Sequence, residues 1–470
     1  MTTQHNQNQN QPQPQKVVEF YMDTLKQYKD KFKKDKIIVL MQVGEFLEIY
    51  GLIYPDGSRV GDLWEFCENV NLKVAEKKQE VYKNPDIKVF MGGVQLPYVQ
   101  PYIQKAIDKF GWTVVVFEQE CIGRNKYERK ETAGLSPGIN IHSDSYSTVS
   151  MVIYIEQLPT YYKPNKLNPT IVNIGVSYVD CITGHNGLLA LNNTSSTDIS
   201  IPFDELLKLL TIKNPKELTI YIQNYDSLTD DTLINALHLF NYQFTINRDI
   251  MDDKYSNLNY QNLTFNSVYN KYKGLMDITQ QLDIDGAEHY YSRIALTLLL
   301  EFILKHDKSI LQKLDKPEII LNSDNYLMLA NNSLEQLDII DNLRNDGSIT
   351  NTVSSSKHIK RISLLDLLDN TKTPLGKNLF RIRLSTPITN NDILEKRYQT
   401  IGELETIHNN YMKKNMVSSM NDKYGSPLYQ LRQHLFGIKN IDNYLRKMIT
   451  HNINPNDIGN YIDSLYKCIN

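Results

Sequence analysis

The sequence changes character near Asp285, and this change constrains the fold more than any other feature. Before it, short β-rich runs alternate with amphipathic helical stretches, whereas after it helical periodicity continues to the last residue. A chain of 470 residues is also too long for one hydrophobic core of ordinary size. We therefore expect a multidomain protein in which α/β domains precede a mostly α domain.

Four segments are predicted along the chain. Residues 1–15 are rich in Gln and Asn and have no apolar surface to offset the entropy of ordering, which predicts a disordered tail. Residues 16–142 have the pattern of a mixed α/β domain, and Ser136-Pro137-Gly138 is predicted to begin its exit linker. Residues 150–268 predict a second α/β domain, three-layered and of ribonuclease-H-like type. Residues 270–470 predict a mostly helical domain.

Local patterns predict individual elements within these domains. In the first domain we expect a helix over residues 17–32 and a strand over Val89 to Met91 that stops at a turn formed by Gly92-Gly93. In the second we expect a hairpin that pairs residues 171–178 with residues 187–191.

The composition is that of a folded protein and gives no global sign of a nucleic-acid partner. Apolar residues make up 41% of the chain, charged residues 22%, and the net charge is −3. Any DNA binding must then depend on a local basic face. Cys67, Cys121, Cys181 and Cys468 lie far apart, which argues against a local zinc site and against a secreted disulfide scaffold.

No part of the sequence predicts secretion or membrane insertion. The N-terminus is polar and lacks the apolar stretch of a signal peptide. The most apolar run, Ile294 to Leu304, contains Thr297 and Glu301 and is too short to span a bilayer. We expect an intracellular protein without a membrane partner, in a compartment that the sequence does not specify.

The segment from Met41 to Gly51 carries the most specific functional information. Phe46 and Glu48 lie two residues apart in an extended stretch, so their side chains leave the same face of the backbone. An apolar ring that slips between base steps must unstack them, which costs least where pairing is already faulty. The alternative is an ordinary strand end, with Phe46 in a core and Glu48 in water, and a motif this short carries a high false-positive risk.

Six lysines precede this segment: Lys26, Lys29, Lys31, Lys33, Lys34 and Lys36. Because Asp23, Asp30 and Asp35 are interspersed, we interpret the cluster first as a solvated helix face and second as a surface for phosphates.

Three other candidate motifs fail on their chemistry. Gly376-Lys377 lacks the first Gly and the final Ser or Thr of a phosphate-binding loop, and it follows a helical stretch. Asp180 has no partner carboxylates for a nuclease metal site, so we expect a structural role for it. The histidines show no metal-ligand spacing. We therefore expect no metal, no cofactor and no catalytic residue.

Several stretches together resemble the MutS family of DNA mismatch sensors. Gly44-Glu45-Phe46-Leu47-Glu48 resembles its Phe-x-Glu element, and Ser136-Pro137-Gly138 the Thr-Pro-Gly that closes its mismatch-binding domain. The run from Val176 to Gly184 is similar to the Asp-x-x-Thr-Gly strand pair of its connector. In the helical region, Asn332 to Leu337 and Leu364 to Gly376 resemble two elements of its core.

The resemblance implies a role for each domain and for two residues. Residues 16–142 would be the mismatch-binding domain, residues 150–268 the connector and residues 270–470 an incomplete core. In the family the Phe wedges beside the mispair and the Glu hydrogen-bonds a displaced base, which implies that Phe46 and Glu48 are DNA-binding residues. Leu47 replaces the usual Tyr and Phe117 the usual Cys, and the sequence is most similar in style to the branch found in giant viruses and octocoral mitochondria.

The resemblance also implies partners and a missing part. Mismatched double-stranded DNA is the expected ligand, with a MutL-like protein and a separate C-terminal half as further partners. The clamp of the family would begin near Asn470, and its second lever arm, ATPase and dimerising helices would be missing, so we expect a truncated product, a fragment or one part of a split protein. ATP and Mg belong to the complete family protein and are not expected in this chain, which would not be an enzyme by itself.

Two alternatives to mismatch sensing stay open. One is a non-catalytic scaffold or regulator that binds a MutL-like partner or the ATPase half without sensing DNA, and the other is an inactive remnant. A basic surface around Phe46 would favour the sensor, and an acidic one the scaffold. The sensor also requires Phe46 to be exposed. In a truncated core, part of one apolar stripe should lie exposed on the last two helices: Ile438, Ile441, Leu445, Met448, Ile449, Ile458, Ile462 and Leu465.

Overall fold

The computed structural model separates the chain into two compact units, residues 1–137 and 138–470. It describes residues 17–77, 84, 86–123, 126–140, 148–158, 171–192, 200–272, 274, 276–312, 314–320, 327, 333–340, 363–414, 426–451 and 453–469. The predicted tail, residues 1–15, lies outside this set, whereas the stretch 332–337 that resembles a helix of the core is described from Ser333 onward. The division of residues 138–470 into a connector and a core stays a prediction.

The described strands of the first unit form one mixed sheet. They are β1 Ile37–Val43, β2 Phe46–Ile53, β3 Arg59–Val60, β4 Ala75–Glu76, β5 Lys88–Gln95, β6 Thr113–Gly123 and β7 Lys126–Leu135. Their order is β4-β5-β2-β1-β6-β7, with β3 beside β2. β1 and β6 run parallel and the other pairs antiparallel.

Helices cover both faces of this sheet. They are α1 Val17–Phe32, α2 Leu63–Val70 and α3 Gln100–Phe110. α1 coincides with the predicted helix, and its ring of Tyr21 meets that of Tyr50 in β2 edge to face at 5.2 Å. The neighbouring residue Gly51 points to the opposite face, where a Cβ would lie 2.8 Å from the Trp64 ring of α2. The sheet is therefore packed on both sides along β2.

The prediction that a strand stops at Gly92-Gly93 is wrong, because β5 continues through both glycines to Gln95. A Cβ on Gly92 would lie 2.7 Å from the Sγ of Cys67 in α2, so this glycine permits the close approach of a helix. Gly92 pairs with Ile49 and Gly93 with Glu48. Gly92 thus serves helix-to-sheet packing, and neither glycine forms a turn.

The second unit begins with another mixed sheet. Its described strands are β8 Val149–Gln157, β9 Val172–Asp180, β10 Asn186–Asn192, β11 Glu217–Gln223, β12 Phe244–Asn247 and β13 Glu318–Ile319. The order is β12-β11-β8-β9-β10-β13. The predicted hairpin is confirmed, since β9 and β10 pair antiparallel from Asp180 to Asn192 through the turn at Cys181 to His185.

Helices lie on both faces of this second sheet. They are α4 Ser200–Lys213, α5 Asp230–Ala236, α6 Leu258–Val268, α7 Ile278–Gln281 and α8 Tyr290–His306. Along β8, Val152 and Tyr154 join the apolar cluster of α8, whereas Met151, Ile153 and Ile155 join that of α4. This alternation gives three layers, but α8 lies outside residues 150–268, so a three-layered domain made of those residues alone stays a prediction. The ribonuclease-H-like assignment itself stays a prediction.

The remaining described elements are helices, as the sequence predicts after Asp285, apart from the short β13. They are α9 Ser333–Gln336, α10 Leu364–Leu368, α11 Pro374–Ser385, α12 Asn391–Lys414, α13 Pro427–Leu435, α14 Ile441–Ile449 and α15 Pro455–Ile469. The guanidinium of Arg446 in α14 is buried and donates to the carbonyl oxygen of Gln312 at 2.9 Å. Among the described helices, none combines the length and the apolarity that crossing a membrane requires.

Candidate nucleic-acid interface

The hairpin between β1 and β2 ends in a two-residue turn, Gly44-Glu45. Val43 pairs with Phe46, so these two residues close the turn. Gly44 has φ 62°, the left-handed value that the first central residue of such a turn adopts and that glycine tolerates best. Phe46 is consequently the first strand residue after the tip.

Side chains and backbone groups from neighbouring strands brace this tip. The Gln42 side chain donates to the carbonyl oxygen of Gly44 at 2.9 Å, and the Gly44 N–H donates to Oε1 of Gln119 at 3.2 Å. The Gln119 N–H donates in turn to Oε1 of Gln42 at 2.7 Å. On the other side, the Leu96 N–H donates to the carbonyl oxygen of Glu45 at 3.0 Å. The turn is therefore held on one side by β6 and on the other by the residue that follows β5.

Phe46 is exposed at this tip, with 41% of its surface accessible, although Leu47 and Ile49 beside it are buried. The exposure that a wedge requires is thereby confirmed. The alternative that places Phe46 in a core is wrong. Its position is consistent with this result, because Phe46 is the first residue of β2 and directly follows the turn at the end of the hairpin.

Glu48 lies on the same face of β2 as Phe46, as the spacing predicts, but it is only 8% exposed. Its Oε2 atom accepts a hydrogen bond from the Tyr50 hydroxyl and lies 2.8 Å from Nζ of Lys77. The alternative that places Glu48 in water is therefore wrong as well. The carboxylate is paired with a cation on the face of β2 that also carries Phe46.

Lys77 and Tyr50 complete a buried polar group that we call the Glu48 cluster: Glu48, Tyr50 and Lys77. Nζ of Lys77 lies 3.1 Å from the Tyr50 hydroxyl and 4.8 Å from the centre of its ring. Sequence reasoning missed both partners. Tyr50 could have been found, because it follows Glu48 by two residues on the same face, but Lys77 is 29 residues away from Glu48 and carries no sequence signal.

Tyr98 is a second exposed aromatic residue that sequence reasoning missed. It is 65% exposed and ends a short 3₁₀ turn, Leu96–Tyr98, which directly follows β5. The last residue of β5, Gln95, pairs with Phe46. Among the described residues of the first unit, the large apolar side chains exposed to solvent are Phe46, Val60 and Tyr98. Two of the three thus lie at the same end of the sheet.

Acidic side chains outnumber basic ones among the described residues near the tip. Glu45 and Glu118 are exposed, and Glu120 forms an ion pair with Lys130 at 3.7 Å. The charge of these residues therefore gives the sensor no support over the scaffold.

The lysines of α1 and its C-terminal end mainly serve the fold. Lys29 pairs with Asp62 at 2.6 Å and Lys36 with Glu65 at 3.4 Å, while Nζ of Lys31 lies 4.9 Å from the centre of the Tyr28 ring. These contacts support the first interpretation, a helix face, over a surface for phosphates. Burial raises the pKa of Asp62, which the nearby Lys29 ammonium opposes.

The motifs rejected from the sequence have structural roles. Asp180 accepts hydrogen bonds from the N–H groups of Ile182 and Thr148 at 3.0 and 3.3 Å, which fixes the turn after β9. Gly376 lies in the first turn of α11, where its N–H donates to the capping hydroxyl of Thr373 at 3.0 Å. Within the described part of the chain, no group of three or more His, Cys, Asp or Glu side chains could hold a metal ion.

Fold and site together define a class: a multidomain α/β and α protein that presents an aromatic ring on a braced hairpin at the end of a sheet. Comparison with known proteins shows which family the chain is similar to. Residues 332–470 match the family model for MutS domain III. Curated MutS proteins align with most of the chain, which confirms the resemblance to the MutS family of DNA mismatch repair proteins.

Three relatives illustrate the extent of this similarity. A DNA mismatch repair protein mutS homolog of Acanthamoeba polyphaga mimivirus is 24% identical over 474 residues, covering 97% of this chain and 39% of that protein. The MutS protein of Streptococcus mutans is 25% identical, covering 81% and 35%. The mitochondrial mutS homolog of Sarcophyton glaucum is 22% identical, covering 79% and 39%. The chain thus spans less than half the length of these curated relatives.

Proposed function

We propose that this chain recognises mismatched double-stranded DNA as the sensing part of a MutS-like mismatch repair protein. The observation that carries the proposal is the exposed Phe46 ring at the braced tip of the β1–β2 hairpin. The similarity of the chain to proteins named for DNA mismatch repair supports it.

The selectivity follows from the physics of unstacking. A ring inserted between base steps must first separate them, and this costs least where a mispair has already weakened the stack. Because the tip is hydrogen-bonded to both neighbouring strands, little of the binding free energy is spent on ordering it. A rigid wedge therefore reports the local weakness of the duplex and not its sequence.

Glu48 has a second role in this proposal, as the acceptor of a hydrogen bond from a displaced base. A bare carboxylate would repel the phosphates, so the role requires compensation of its charge. Lys77, at 2.8 Å, supplies a positive charge where it is needed.

The test is a comparison of Phe46→Ala with the parent chain on matched and single-mismatch duplexes. We expect the variant to lose its preference for the mismatch, by about 1–3 kcal/mol for one lost stacking contact. Phe240→Ala is the matched control, since Phe240 is also 41% exposed but lies in the second unit. A preference that is equal in Phe46→Ala and the parent, or absent from the parent, would contradict the proposal.

We also propose that this chain neither binds nor hydrolyses ATP. The segment that faintly resembles a phosphate loop begins the capped helix α11 and follows no strand, so its backbone lacks the Gly-rich cradle that phosphates require. Calorimetric titration with ATP and Mg should therefore give no saturable heat. Stoichiometric binding would overturn this prediction.

A scaffold function remains the second candidate because one observation favours it. The helices α12 and α15 expose several large apolar side chains, among them Tyr398, Ile401 and Ile462. Such surfaces suit binding to a protein partner. A MutL-like protein or the ATPase-bearing half of a MutS-like protein would be that partner, and binding that persists in Phe46→Ala would separate this role from mismatch sensing.

A further inference from the structure

The Glu48 cluster suggests a role for Lys77 that goes beyond holding the fold together. The Lys77 side chain is 20% exposed and that of Glu48 10% exposed, so their ion pair is largely buried, on the face of β2 that also carries Phe46. Both the Tyr50 hydroxyl and the Lys77 ammonium reach the same oxygen of Glu48, Oε2. The carboxylate is therefore held from one side.

The backbone of Lys77 is fixed as well. Its N–H donates to the carbonyl oxygen of Val89 at 2.9 Å, which continues the pairing of β4 with β5. From this anchor the side chain crosses the ring of Tyr50, itself fully buried against Tyr21 of α1. The pairing with β5 and the Tyr50 ring thus position the ammonium, and its position does not depend on DNA.

The contact of Lys77 with Glu48 compensates a negative charge close to Phe46. Glu48 shares its face of β2 with Phe46, two residues away, so DNA reached by the ring also comes close to the carboxylate. An uncompensated negative charge there would repel every duplex, matched or mismatched. A phosphate-binding lysine would instead direct its ammonium outward, whereas that of Lys77 contacts Glu48 and Tyr50.

We propose that Lys77 is a positioning residue, which neutralises Glu48 and fixes the orientation of its carboxylate so that the Phe46 tip can approach DNA. The proposal rests on the proposed function, because it concerns how the same tip binds a duplex. It differs from a direct DNA contact in that Lys77 acts only through Glu48.

A double-mutant cycle in the full 470-residue chain tests this dependence. The four proteins are the parent, Lys77→Met, Glu48→Gln and the double variant, and the measured quantity is the Kd for matched and single-mismatch duplexes. We expect Lys77→Met to weaken binding to both duplexes about tenfold, because an unpaired carboxylate then faces the phosphates. In the Glu48→Gln background the same substitution should change Kd less than about twofold. Lys77→Arg, which keeps the charge, should stay close to the parent.

Two different results of this cycle would overturn the proposal. If Lys77 binds a phosphate directly, Lys77→Met weakens binding equally in both backgrounds and lowers the salt dependence of binding by about one counterion, which would overturn the proposal. A loss of binding in both backgrounds with an unchanged salt dependence would also overturn it, since a purely structural lysine would act in this way.

Denaturant unfolding of the same four proteins separates this proposal from the proposed function. Lys77→Met leaves a largely buried carboxylate unpaired and should destabilise the chain, and Glu48→Gln should remove that penalty. If the parent shows no mismatch preference but the unfolding cycle shows this coupling, the mismatch function fails while the pairing of Lys77 with Glu48 stands. If the unfolding cycle shows no coupling, the positioning role fails whatever the DNA result.

Discussion

At the scale of single residues, Tyr98 provides a test of how far the interface extends beyond Phe46. Its ring follows β5 at the end of the sheet that also carries the hairpin tip. A ring in this position is suited to pack on the sugar or base flanking the wedged step, where contact does not depend on a mispair. Tyr98 should thus add affinity without adding selectivity.

We expect Tyr98→Ala to weaken binding to matched and mismatched duplexes by the same factor, up to about 1–3 kcal/mol, with the ratio of the two Kd values unchanged. Tyr98→Phe keeps the ring and should bind as the parent does. Because Tyr98 is 65% exposed, the free energy of unfolding should change by no more than about 0.5 kcal/mol. Unaltered affinity in Tyr98→Ala would confine the interface to the hairpin.

The same residues show which part of the site can be predicted from sequence. The exposure of Phe46 and the shared face with Glu48 follow from spacing in an extended segment. The pairing of Glu48 could not be predicted, because Lys77 reaches it from a different strand region and only the order β4-β5-β2 brings the two together. Local spacing defines which face a side chain leaves, whereas its partners depend on the order of the strands.

At the scale of elements, the glycine pair in β5 is the clearest case of a pattern with two meanings. Adjacent glycines favour a turn on local grounds, but here β5 stays extended and α2 packs directly on Gly92. The sequence alone could not distinguish a turn from an extended strand here, because the close approach of α2 involves Cys67, which lies 25 residues earlier in the sequence. A helix end such as that of α3 at Gly111, with φ 70°, depends on local conformation only and can therefore be read from the sequence.

The packing role of Gly92 leads to a stability prediction. Gly92→Ala would bring a Cβ to 2.7 Å from Sγ of Cys67 and should destabilise the first unit by about 1–3 kcal/mol through overpacking. Gly93→Ala is the matched control, because its nearest neighbours would lie at 3.5 Å or beyond, which is ordinary contact. The measurement is denaturant unfolding of the three proteins.

Cys67→Ala should recover most of the stability lost in Gly92→Ala, because it removes the sulfur that the new methyl group meets. Equal effects of Gly92→Ala and Gly93→Ala would mean that backbone flexibility, and not the contact with α2, determines the loss of stability.

At the scale of the whole molecule, the helical region combines a buried anchor with an exposed apolar surface. Ile438 is buried and Arg446 is fixed on the carbonyl of Gln312, whereas Leu445, Ile458 and Ile462 are exposed. The prediction that part of the stripe on the last two helices lies exposed is thereby confirmed. α12 adds further exposed apolar residues: Ile393, Tyr398, Ile401, Leu404 and Ile407.

This surface predicts that the chain associates. Monomeric proteins rarely leave contiguous apolar patches of several hundred Å² in water, and covering such a patch is favourable by about 25 cal/mol per Å². We therefore expect the apparent mass in sedimentation or light scattering to rise with protein concentration.

Replacing Ile458 and Ile462 with Gln should shift association to higher concentration, because both side chains are exposed on α15 and contribute little to the core. Phe240→Gln, an equally simple change at an exposed apolar residue of the second unit, should leave the association unchanged. A strictly monomeric parent across the accessible concentration range would show that these side chains are too dispersed to act as one surface.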